Sequence, residues 1–198
     1  MISEKKELRG GQQVPMEKGS NKETRGLIII FTGDGKGKTT AALGTALRAV
    51  GFNFNVLMIQ FVKGKYPYGE HTSAKRLAPN FEIIIKGRGY YKLPGDKTPE
   101  KEHKRAAQEG LSLARERMRS GDYHLIILDE INNAIHTGLL PVEEVLDLLK
   151  EKPPSLHLIL TGRNAHPELI AKADLVTEMK EIKHPFRGGI LAQKGIDF

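Results

Sequence analysis

Short apolar runs recur along the chain. LIIIF (27–31), VLMIQF (56–61), FEIII (81–85), LIIL (125–128), LHLIL (156–160) and LVTEM (175–179) each have the length of a strand. Several of them show little alternation, as expected for strands covered on both faces. The segments between them change to helical spacing. One helix follows Gly37, with Leu43, Ala46, Leu47 and Val50 on one side. A second covers about 99–119, with Ala107, Leu111, Ala114 and Met118 inward, and a third opens at Pro141 with Val142, Val145, Leu146 and Leu149 inward. Strand and helix in alternation predict an α/β fold, a mostly parallel central sheet with helices on both faces. Ligands in such folds bind at the carboxyl ends of the strands.

The 198 residues suit one such domain with a full core. The pattern sets it at 26–198, behind a polar leader at 1–25. That leader mixes Lys5, Lys6, Arg9, Lys18, Lys22 and Arg25 with Glu4, Glu7, Glu17 and Glu23. Two readings stay open for it: a disordered terminus, or a lid that orders on binding. It lacks the apolar core of a signal peptide, and no apolar run reaches the ~20 residues of a membrane span. Cysteine is absent, which excludes disulfides and thiolate metal sites and suits a reducing cytoplasm. A net charge of +7 favours anionic ligands, nucleotides among them.

Chemistry enters with FTGDGKGKTTAALG (31–44), which lies between a strand and a helix. A Walker A loop would carry a glycine where Thr32 stands. The rest is complete: Gly33, Asp34, Gly35, Lys36, Gly37, Lys38, Thr39 and Thr40. Glycines let backbone N–H groups turn towards an anion, and the following helix adds the positive end of its dipole. Lys38 supplies a mobile charge for phosphate, Thr39 a hydroxyl for magnesium (or manganese), and Thr40 another for phosphate. HLIILDE ends in Asp129 and Glu130, an apolar strand with acids at its tip, as in Walker B. These carboxylates would hold the metal directly or through water. After the strand at 156–160, Arg163 is a candidate phosphate or carboxylate ligand, or else a solvated loop arginine. His166, before Pro167, reads as a helix-start residue. KGRGYYKLPGDKTPEK, from Lys86, has the composition of a binding flap. Its Tyr90 and Tyr91 would stack on a flat ligand or pack on the surface.

With these motifs in place, the chain resembles the P-loop ATP:corrinoid adenosyltransferases. The resemblance runs from Gly26 to Phe198. It rests on GLIIIFTGDGKGKTTAALGTALRAVG, VLMIQFVKG, Gly69-Glu70, LIILDEI, LPVEEVLDLL, LILTGRNAHPELIAKADLVTEM and KHPFRGGILAQKGIDF. It implies a RecA-like P-loop fold, a homodimer, and transfer of the 5′-deoxyadenosyl group of ATP to cobalt(I) of a reduced corrinoid. The loop then grips triphosphate as a leaving group. It implies Lys38, Thr39 and Glu130 as catalytic residues, with Thr39, Glu130 and Asp129 at the metal. A flavodoxin-like protein is the implied electron donor. Two departures stand out. Asp34 replaces the family's loop Asn. In the corrinoid-facing segment Arg88 stands at the Phe position and Tyr90 at the Trp position, with Tyr91 beside them.

A RecA-type ATPase acting on nucleic acid is the alternative reading, and a nucleotide kinase is a third. No nucleic-acid motif accompanies the loop, so nucleic acid is not an expected partner, and neither is a membrane.

Overall fold

The computed structural model describes residues 25–64, 66–89, 91–92 and 95–198. The expected leader, Arg25 excepted, lies outside the described residues, as does Tyr90. In chain order the elements are β1 (Ile28–Thr32), α1 (Lys38–Val50), β2 (Val56–Gln60), α2 (Gly69–Arg76), β3 (Phe81–Ile85), α3 (Glu100–Ser120), β4 (Leu125–Asp129), α4 (Ile131–His136), α5 (Val142–Lys150), β5 (His157–Thr161), α6 (Pro167–Lys172) and β6 (Leu175–Glu178). The six strands form one sheet in the order β3-β2-β4-β5-β1-β6. Every pairing is parallel.

Successive side chains of a strand point to opposite faces, so the apolar runs feed two cores. Leu57, Ile59, Ile126, Leu128, Leu158 and Leu160 meet Ala107, Leu111 and Ala114 of α3, Ile131 of α4 and Leu148 of α5 on one face. Val56, Met58, Leu125, Ile127 and Ile159 meet Ala42 and Ala46 of α1 and Ala74 of α2 on the other. This explains the missing alternation: β2 and β4 are buried at every position. The edge strand β6 is exposed throughout. Among the described residues, no helix is long and apolar enough to cross a membrane.

The structure differs from the sequence pattern in the helices. Leu47, expected to face inward with Ala46, is 61% exposed, because α1 meets the sheet through Ala42 and Ala46, with Leu43 packed beside them as expected, and leaves Leu47 outside that contact. Helices α2 and α4 were not signalled. The first is polar apart from Ala74, and the second is a six-residue segment that starts directly after the Walker B acids.

Sheet order also sets the spacing of the site. β1 carries the phosphate loop and β4 the acids, with β5 between them. A residue at the tip of β5 is therefore placed to bridge the two.

Candidate active site

The phosphate loop leaves β1 and turns into α1 at Gly37, whose φ of 119° is a conformation L side chains rarely adopt. Its other constraint is the neighbouring chain after β6. Gly35 N–H donates to Met179 O at 2.7 Å. A side chain at Gly33 or Gly35 would come within 2.5 or 2.8 Å of the Met179 carbonyl oxygen. The glycines thus let the loop lie flat on the strand behind it.

Lys38 reaches back across the loop. Its ammonium donates to Gly33 O at 2.7 Å and to Gly35 O at 2.8 Å. Burial lowers its pKa, and Glu130 partly offsets that. Asp129 is fully buried at the end of β4. Its Oδ1 accepts the Thr39 hydroxyl at 2.8 Å and the Thr161 hydroxyl at 2.7 Å. Its Oδ2 faces Gln60 Nε2 at 3.3 Å and Lys63 Nζ at 3.2 Å. Thr161, at the tip of β5, braces the acids, because its Oγ1 also accepts the Glu130 N–H at 2.9 Å and it shares Asp129 Oδ1 with Thr39 of α1. Glu130 is held at φ 64° as the chain turns into α4. Its carboxyl pKa is raised, first by burial and then by Asp129. The Lys63, Lys38 and Arg163 charges oppose that rise, and Glu130 and Thr39 both line the cavity.

The cavity around these groups measures about 1430 Å³. That exceeds the ~300–1,000 Å³ of an ordinary small-molecule pocket, so it has room for more than one ligand. Asp34, Lys36, Thr40 and Arg163 line it. Arg163 donates to Asp34 O at 3.3 Å, across from β5 to the loop. Arg88, Tyr91 and Lys92 also line the cavity. Arg88 is exposed. Tyr91 is half-buried against the α3 core, its ring centroid 4.9 Å from that of His103. His166 caps α6, accepting the Glu168 N–H at its Nδ1.

Four further residues join this network, and the sequence reading gave none of them a site role: Gln60, Lys63, Glu70 and Thr161. Lys63 pairs with both Glu70 and Asp129 at 3.2 Å. Burial works against its charge, but the two acids outweigh that and raise its pKa. His71 Nε2 meets Gln60 Oε1 at 2.8 Å and extends the network outward. The available signal was position: Gln60 and Thr161 end apolar strands at the same edge as Asp129.

The family model for ATP:corrinoid adenosyltransferase BtuR/CobO/CobP matches residues 24–198. The chain belongs to the ATP:corrinoid adenosyltransferase family. Curated relatives of the family agree. The corrinoid adenosyltransferase of Escherichia coli strain K12 is 37% identical over 176 residues, covering 89% of this chain and 87% of that one. The corrinoid adenosyltransferase CobA of Salmonella typhimurium is 38% identical over 177 residues, with the same coverage. That of a Sinorhizobium species is 39% identical over 178 residues, covering 89% and 82%. Among solved structures, the RadB recombinase aligns with a TM-score of 0.50 at 14% identity, covering 82% of this chain and 78% of that one. That likeness shows a RecA-like P-loop fold. The family match, and not this likeness, bears on activity, and it disfavours the nucleic-acid ATPase alternative.

Proposed function

We infer that this chain transfers the 5′-deoxyadenosyl group of ATP to the cobalt of a reduced corrinoid and releases inorganic triphosphate. The family match across residues 24–198 carries the reading. The geometry supports it, because a complete phosphate loop faces a cavity larger than one nucleotide needs. The cobalt(I) electron pair forms a bond to C5′, the C5′–O bond breaks, and its electron pair leaves on triphosphate. Cobalt(I) is itself the nucleophile, so the protein must align the reactants and neutralise the leaving group.

The loop N–H groups, Lys38, Thr40 and Arg163 would grip the triphosphate. Thr39 and Glu130 would hold a magnesium ion, with Asp129 fixing the Thr39 hydroxyl from behind. Two protein ligands would leave the remaining positions of a magnesium ion to phosphate and water. When bound, it supplies charge neutralisation on the triphosphate. Tyr91, with Arg88 and Tyr90 beside it, would form the corrinoid face. Tyr91 is already braced by His103, which pairs with Asp96 at 3.2 Å.

Cobalt(II) needs one electron before transfer. A flavodoxin-like protein in the cytoplasm would supply it, and the basic rim of Arg88 and Lys92 favours an acidic donor. A second copy of the chain is the proposed partner, and exposed Leu175, Val176, Phe186 and Leu191 support an apolar contact there.

The test is product identity. The protein, ATP, magnesium and chemically reduced cobalamin should yield triphosphate in step with adenosylcobalamin. Orthophosphate stimulated by nucleic acid, or ADP with a phosphorylated acceptor, would replace the reading by an ATPase or a kinase.

A further inference from the structure

The cavity lining carries aromatic rings on two segments, and the reading above uses only one. Tyr91 stands on the one after β3. The other rings come from the chain after β2 and from the last residues. Tyr66, Tyr68 and Phe198 all line the cavity. Their rings meet edge to face: Tyr66 to Tyr68 with centroids 5.4 Å apart at 66°, and Tyr66 to Phe198 at 5.4 Å and 80°. Tyr68 is fixed from behind, with Lys63 Nζ 5.1 Å over its ring and His71 edge-on at 5.6 Å. Tyr66, at 44% exposed, stays open to a ligand.

This cluster is tied to the phosphate loop. Asp197, next to Phe198, pairs with Lys36 at 2.6 Å. Its Oδ2 also accepts the Gln193 N–H at 2.7 Å, and Gly195 N–H donates to Phe198 O at 2.7 Å. The tight turn so formed holds Phe198 one residue from a side chain that touches the loop. A base attached to a loop-bound triphosphate must lie within reach of that loop. A corrin ring need only reach C5′.

We propose that Tyr66, Tyr68 and Phe198 form the stacking platform for the adenine ring of ATP, with Asp197 and Lys36 coupling it to the phosphate grip. The proposal rests on the adenosyltransferase reading and assigns its nucleoside subsite. Aromatic rings favour offset-stacked and edge-to-face contacts, and the Tyr66 cluster already presents rings at steep angles, so an inserted base would stack on one and meet another edge-on. Stacking on such rings contributes affinity without depending on which base is bound.

The experiment compares calorimetric affinities of ATP and inorganic triphosphate, with magnesium and without corrinoid. In the wild-type protein ATP should bind more tightly than triphosphate. Tyr66→Ala and Phe198→Ala should each weaken ATP roughly tenfold or more, the scale of one lost base stack. Triphosphate should change by less than about twofold in both, since the loop is intact. Phe198→Tyr and Tyr66→Phe should retain tight ATP binding, which a fold defect in the alanine variants could not explain. An unchanged gap between ATP and triphosphate in the alanine variants overturns the platform. If they lose cobalamin binding while the gap persists, the cluster belongs to the corrinoid. These outcomes do not depend on turnover. Failure of the wild-type protein to make adenosylcobalamin would overturn the function and leave the base subsite to stand or fall on its own binding data.

Discussion

Two lysines at opposite ends of β1, Lys38 buried and Lys152 partly buried, make similar bonds for different ends. At the carboxyl end, Lys38 donates to the Gly33 and Gly35 carbonyls. At the amino end, Lys152 donates to three carbonyls, Gly26 O at 3.1 Å, Pro153 O at 3.0 Å and Leu156 O at 2.8 Å. Burial lowers the pKa of both. An ammonium has three donors. Lys152 uses all three on the chain and joins the entry of β1 to the approach of β5. Gly26 there cannot carry a side chain, since one would lie 2.0 Å from Leu156 O. Lys38 uses two donors, faces the cavity and has the Glu130 charge nearby. The same carbonyl cradle is therefore a closed staple at one end, and at the other a charge parked where phosphate can take it.

The largest expected effect breaks the open end. Lys38→Ala removes a charge-assisted contact to triphosphate worth roughly 1.5–3 kcal/mol. Adenosylation should fall at least about tenfold, more than any accompanying loss of folded protein accounts for. Unaltered turnover at limiting and saturating ATP would remove Lys38 from the phosphate site.

Next comes the closed end. Lys152→Met keeps the stem but leaves three carbonyls without their donor. A loss of about 1–3 kcal/mol of stability is expected, with ATP affinity per folded molecule unchanged. Full stability in this variant would mean that solvent satisfies those carbonyls equally well. The opposite split, lost activity with full stability, would undo the comparison.

The counter-charges sharpen the contrast further. Glu130→Gln should raise the magnesium concentration needed for half-maximal activity several-fold, about the effect of losing one charged ligand. Wild-type metal dependence would separate Glu130 from the metal. At the other end, Asp174 accepts the Ile28 N–H at 2.8 Å and pairs with Arg25. Asp174→Asn should therefore leave the magnesium dependence untouched and lower the thermal midpoint.

The two ends were not equally legible in the sequence. The phosphate loop announces itself because its glycines, Lys38 and Thr39 must follow one another in the chain. The strands were legible to within a residue or two, the central ones because burial on both faces keeps polar residues out of their middles. Lys152 gave no signal, since its partners are backbone carbonyls that any residue supplies. Lys63 was inside a quoted motif but had no role, because Glu70 and Asp129 approach it only after β2 and β4 pair. Thr161 was invisible for the same reason: strand order, not sequence order, puts β5 between the loop and the acids. Leu47 was misread because a ligand cavity and a core select the same apolar side chains.

The smallest effect concerns pH at the closed end. His157 opens β5 beside Lys152, and its Nδ1 accepts the Leu27 N–H at 3.2 Å. Burial lowers its pKa below the ordinary histidine value, and the Lys152 charge lowers it further. A neutral ring can accept that bond and a protonated one cannot. The unfolded chain therefore takes up the proton at a higher pH than the folded chain does. In that window the unfolded state binds more protons, so stability falls as pH drops from the ordinary value, ~6.5, through the lower folded value. Above ~6.5 the contribution is fully present. Urea midpoints at pH 7.5 and 5.5 should reveal a loss in the wild-type protein. His157→Asn, which offers a carbonyl to the same N–H, should reduce it. Lys152→Met should also reduce it, since removing the neighbouring ammonium brings the folded pKa of His157 closer to its unfolded value. An undiminished loss in both variants would place the acid-sensitive group elsewhere and would unlink His157 from the staple.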